Sequence, residues 1–117
     1  MSQANEVTIP YHKDELDECL SNWETAIHGW QKAQEEAAFA EANFKAWESA
    51  TKAAFMATKM SAVMAEAKVR ANPDWADRYL DSQKKAIAAE TKKRILRLAE
   101  AKWESERSRQ VSLRSLR

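Results

Sequence analysis

The sequence predicts an all-α fold, a long helical hairpin or small helical bundle, and three observations carry that prediction. Among 117 residues there are one Gly and two Pro, far below average usage, so little in the chain interrupts a helix. Hydrophobic residues make up 44% of the chain, with alanine dominating, and Ala, Glu, Lys and Arg are the strong helix formers. Apolar residues recur in steps of three and four, which lines one face of a helix. The length suits a single domain with a modest core.

Residues 1–10 are polar and aperiodic and are expected to form a flexible arm. A first helix is expected over 11–71. Pro10 suits its first turn, and Asp14, Glu15, Asp17 and Glu18 follow where the positive end of the helix favours carboxylates. Leu16, Leu20, Trp23, Ile27 and Trp30 then form a seam for packing against another helix. The seam shifts phase to Ala33, Ala37, Ala40, Phe44, Trp47, Thr51 and Ala54, whose small members permit close approach. Phe55, Met56, Met60, Val63 and Met64 add a bulkier second face. Unbroken, such a helix would be about 90 Å long at ~1.5 Å per residue, more than a monomer of this size can cover. Either it bends near Gly29, where an interior Gly costs roughly 1 kcal/mol against Ala, or neighbouring subunits cover it. A homo-oligomer is therefore expected, assembled through Leu16, Leu20, Trp23, Ile27, Trp30, Phe44 and Trp47.

Asn72-Pro73 is the clearest punctuation, with a capping Asn, Pro at the first helical position, and Asp74 and Asp77 in the first turn. A C-terminal helix is expected over 72–108, folding back with Trp75, Tyr79, Leu80, Ala86, Ile87, Ile95, Leu98 and Ala101 as its stripe. Residues 109–117 are expected to be a basic tail.

The single Cys19 cannot form an intramolecular disulfide, and no charged-then-apolar leader opens the chain, so a cytoplasmic setting is expected, in the bacterial host if phage-encoded. No run reaches the 18 or so apolar residues of a membrane span, and no membrane partner is expected. Catalysis finds little support: His12, His28 and one Cys stand without a Gly-rich phosphate loop or nucleophile elbow. Glu24 and His28 are one helical turn apart, and no third metal ligand accompanies them. No enzyme, cofactor or metal site is expected.

Charge is the feature left to explain. The net charge is +1, yet residues from Lys84 onward carry +7 and the preceding ones −6. Lys85 and Lys92 share a helix face that Arg78 extends upstream. Lys84, Lys93, Arg94 and Arg97 widen it, and Lys102, Arg107, Arg109, Arg114 and Arg117 continue to the end. Such a surface neutralises phosphates without regard to sequence. The alternative is that these cations face the acidic N-terminal segment of the chain itself. A second basic line, Lys45, Lys52 and Lys59, repeats by heptads. Glu41 and Glu48 precede the first two by one turn, the favourable order for intrahelical pairs. Five tryptophans offer base-stacking surfaces in principle, but Trp23, Trp30 and Trp47 fall on the apolar seam. Trp103, among Lys102 and Arg107, is the one left open.

The features come in a definite order. Trp23-x₃-Ile27 lies on a long first helix, followed by an Ala/Lys-rich middle, Glu66-Ala67-Lys68, Asp74 six positions on, and a final helix with an Arg-containing end. In that order residues 11–116 resemble the UvsY family of phage recombination mediators. The resemblance implies a helical protein that assembles into a ring-like oligomer and binds single-stranded DNA. It also implies that the protein helps load a recombinase onto strands covered by single-strand-binding protein. The family's Lys-Ala-Arg contact motif would fall on Lys45-Ala46-Trp47, with Trp in place of Arg, and the family's Gly-rich linker is missing. The expected function is a non-enzymatic single-stranded DNA-binding accessory of recombination or replication, possessing Lys85, Lys92, Lys93, Arg94, Arg97, Lys102, Arg107, Arg109, Arg114, Arg117, Lys45 and Lys59 as its contacts. The alternative is a phage-type protein-binding adaptor or inhibitor that uses the Trp-rich helix or the Asp14–Glu18 segment.

Overall fold

In the computed structural model the described residues are 13–116; the expected arm over 1–10, His12 and Arg117 lie outside them. The fold is all-α. Helix α1 spans Lys13–Met56, α2 spans Ala62–Ala71 and α3 spans Pro73–Ser115. The chain divides into two units, one made of the residues up to Trp30 with those from Lys92, the other of Gln31–Thr91.

The expected helix over 11–71, with its possible bend near Gly29, is corrected in one place: α1 passes through Gly29 without interruption but stops at Met56. After Met56 the bonds from Thr58 N–H to Phe55 C=O (3.1 Å) and from Lys59 N–H to Met56 C=O (3.0 Å) tighten the last turn. Lys59 takes the left-handed conformation with φ 68°, and the Thr58 hydroxyl donates to Phe55 C=O at 2.6 Å. Ser61 then caps α2, its side chain accepting from Met64 N–H at 3.2 Å. This break turns α2 so that Ala65 and Val69 are buried, at 0% and 1% exposure. Burying a Val side chain stabilises by about 1.5–3 kcal/mol, which offsets the ~1–2 kcal/mol of one left-handed non-Gly residue.

The Asn72-Pro73 boundary forms as expected. Asn72 ends α2, donating to Val69 C=O, and opens α3 by accepting from Asp74 N–H at 2.9 Å on its side chain.

In the first unit α1 and α3 run antiparallel. Leu16, Trp23 and Trp30 recur by sevens on the half-buried face of α1, with Cys19 and Ala26 between them. The facing side of α3 carries Leu96, Trp103 and Gln110, again by sevens, with Ala99, Glu106 and Leu113. Trp23 and Trp103 meet with ring centroids 5.1 Å apart, an aromatic pair worth about 0.5–1.5 kcal/mol beyond its area.

The second unit is built around Phe44. Its ring contacts Trp47, Trp75 and Tyr79 at 6.5, 6.0 and 5.8 Å, and Trp75 stacks on Tyr79 at 5.0 Å. The Trp75 indole N–H donates to Glu48 Oε2 at 2.9 Å. Small residues, Ala33, Ala37 and Ala40 on α1 with Ser82 and Ala89 on α3, fill the rest of its seam.

The stripe expected for α3 is thereby corrected. Trp75 lies on the packed face, but Leu80, Ile87 and Leu98 are 52%, 64% and 63% exposed and Ile95 is 47% exposed. The packed face instead follows Ser82, Ala89, Leu96 and Trp103. Aromatics of α1 meet aromatics of α3 and small residues meet small ones, and the larger aliphatic residues of α3 turn outward.

Candidate nucleic-acid interface

The cations of the first unit lie on the last part of α3. The run extends the helix past the point where a tail was expected: α3 continues to Ser115, Gln110 is buried at 1% and Leu113 is half-buried. Ser115 returns its hydroxyl to Val111 C=O at 3.0 Å. The expected tail over 109–117 is thus helical through Ser115, because Trp103, Glu106, Gln110 and Leu113 keep the three-four spacing while the serines face outward. The sevenfold line Leu96–Trp103–Gln110 was the signal for this, hidden by a polar member.

On this helix Lys92, Arg94, Arg97, Lys102 and Arg107 are exposed and Lys93 is half-buried. None of these six makes an ion pair with a described residue. Arg107 lies over the Trp103 ring at 5.6 Å. Arg109 behaves differently, bridging Glu15 of α1 and Glu106 of its own helix, each at 2.7 Å. The hydrogen bond it donates to Glu106, with the charges of Glu106 and Glu15, raises its pKa further. Pairing of the basic end with the chain's own acidic segment therefore occurs at Arg109. Arg114 is exposed near the helix end.

Three other expected contacts belong to the second unit. Lys45 pairs with Glu41 at 2.9 Å, the intrahelical bridge its spacing predicts, and that hydrogen bond and charge raise its pKa. Lys59 is exposed in the turn after α1. Lys85 lines a groove with Arg78 and the carboxylates Glu36, Asp77 and Asp81, a mixed surface rather than a phosphate path. Arg78 itself lies over the Trp47 ring at 4.9 Å.

All five tryptophans are half-buried. Trp103, left open by the sequence, is stacked on Trp23, whose indole N–H is buried with no hydrogen-bond partner among the described residues. The seam expected to join subunits is largely occupied inside the chain: Trp23 meets Trp103, and Phe44 and Trp47 belong to the aromatic cluster of the second unit. Leu16, Ile27 and Trp30 are half-buried, and Leu20 is 37% exposed. Among the described residues no group of three or more His, Cys, Asp or Glu is arranged to hold a metal ion. No described helix is long and apolar enough to cross a membrane.

No protein-family model matches the chain, and no curated protein or solved structure is significantly similar to it.

Proposed function

We propose that this protein is a non-enzymatic single-stranded DNA-binding accessory of recombination or replication that holds the phosphate backbone on the last part of α3. The observation that carries this reading is the set Lys92, Lys93, Arg94, Arg97 and Lys102, five cations within eleven residues of one helix, none neutralised by a described carboxylate. A rigid helix fixes their spacing before binding, which lowers the ordering cost of engaging a polyanion. Half-buried tryptophans offer little stacking surface, so charge is the main source of affinity. The preference for a single strand is supplied by the residue-order resemblance to recombination mediators, and phosphate binding by the cations themselves.

Fluorescence anisotropy with a labelled single-stranded oligonucleotide tests the reading, with unlabelled duplex as competitor. Binding should weaken steeply with salt and be largely lost in the K92Q/K93Q/R94Q/R97Q variant. Salt-independent binding, or binding that survives those four substitutions, would overturn it.

A protein-binding adaptor is the second reading, and the observation favouring it lies in the second unit. Phe39 is 69% and Val63 80% exposed, large apolar side chains presented to solvent. A folded wild-type protein that fails to bind DNA at low salt would favour this reading over the first.

A further inference from the structure

Beside the Trp23–Trp103 seam, the first unit has a groove with two walls of opposite sign. α1 contributes Glu15 and Glu18, and α3 contributes Lys102 and Arg109 together with Glu106, whose carboxylate is engaged by Arg109 at 2.7 Å, so the α3 wall is positive on balance through Lys102. Between them lie Ala26, Ile95, Leu98 and Ala99. One bridge, Glu15 to Arg109, joins the walls. Glu18 and Lys102 line the same groove, and neither makes an ion pair with a described residue. An apolar strip with two exposed aliphatic side chains, rimmed by unpaired charges, has the composition of an interface core and its polar rim.

We infer that a second copy of this chain docks on this groove, related by a two-fold axis parallel to the helices. The charge pattern selects that axis. Under it, the α1 wall of each copy covers the α3 wall of the other, so Glu18 faces Lys102 twice in one isologous interface. A two-fold axis across the helices would lay the acidic wall on the acidic wall, and like charges brought together at an interface are strongly unfavourable. The same operation covers Ile95 and Leu98, and it sets α1 of one copy antiparallel to α3 of the other, the arrangement each chain already uses internally. Four helices then surround the strip, as in a four-helix bundle. Arg97 is two residues from Ile95 and so points to the opposite side of α3, which leaves it open in the dimer. The dimer takes Lys102 from the proposed DNA-binding set and leaves the other four cations of that set to DNA, so association is measured without DNA.

Sedimentation equilibrium on the full chain tests it with wild type, Glu18→Lys, Lys102→Glu and a one-to-one mixture of the two variants. Wild type should dimerise at low salt and dissociate as salt rises. Each single reversal should weaken the dimer at least tenfold, because two like-charge contacts replace two favourable ones. The mixture should form a heterodimer of about wild-type strength, since each variant presents what the other lacks. Circular dichroism should show unchanged helicity in both variants, and Leu98→Glu should abolish association. A monomeric wild type at low salt, a mixture no stronger than the single variants, or undiminished association of Leu98→Glu would each overturn the proposal. Rescue by mixing cannot arise from a bridge inside one chain, so the mixture separates the two explanations.

Discussion

Trp75 combines a sequence-local role with a tertiary one. It sits in the first turn of α3 next to the Asn72 cap, and its indole N–H reaches Glu48 on α1 at 2.9 Å. A hydrogen bond to a charged acceptor contributes roughly 1.5–3 kcal/mol. Trp75→Phe keeps a ring against Phe44 and Tyr79 but removes the donor, and it should destabilise the protein by about 2 kcal/mol, read as a lower urea midpoint at unchanged slope. Lys59 is strained for a different reason. Its φ of 68° is one that glycine adopts without a steric penalty. Lys59→Gly should therefore raise stability by up to about 1 kcal/mol, the left-handed penalty less glycine's extra unfolded-state entropy; a lower melting temperature would show that the turn is held by Lys59 itself.

Among the elements, α1 shows most clearly how packing overrides local preference. Gly29 interrupts the helix-forming sequence but not the helix, because the seam on either side of it holds the backbone in place. A Cβ added at Gly29 would find its nearest neighbour, Lys92 Cδ, at 4.0 Å, which is ordinary van der Waals contact. Gly29→Ala should accordingly stabilise by roughly 0.5–1 kcal/mol, measured by thermal or denaturant unfolding. Loss of stability would mean that helix packing there requires the absence of a side chain. α2 shows the converse. Nothing in residues 57–61 resembles the strong Asn-Pro signal at 72–73, yet the chain breaks there, and burial of Ala65 and Val69 outweighs the strain at Lys59.

For the whole molecule, the −6 and +7 halves make salt the most informative variable. A protein that neutralises Z phosphates of a single strand has a slope of log K against log salt of about −0.7Z. With Lys92, Lys93, Arg94 and Arg97 engaged and Lys102 held in the proposed dimer, the slope should be about −2.8. The K92Q/K93Q/R94Q/R97Q variant should flatten it by about 3. A slope near zero in wild type would mean that these cations do not meet phosphates. Salt acts on the proposed dimer in the same direction, so the two effects are resolved by measuring association in the absence of DNA.

Helix content, the Asn72-Pro73 boundary, the Lys45–Glu41 pair and the concentration of positive charge on α3 were legible in the sequence, because each depends on residues within one or two turns of each other. The heptad line of α1 was legible too, since Leu16, Trp23, Trp30 and Phe44 are large and fall on one heptad register. The facing line on α3 was not. Its members include Ser82, Ala89 and Gln110, and no periodicity of apolar residues marks them; Ser82 and Ala89 share a seam with the small Ala33, Ala37 and Ala40 of α1. The exposed Leu80, Ile87, Ile95 and Leu98 form the more regular apolar pattern, and only tertiary packing turned them outward. By itself the sequence determined that the chain is helical and electrically divided. Tertiary structure decided which charges stay unpaired, since that depends on how side chains nearly a hundred residues apart, such as Glu15 and Arg109, are brought within reach.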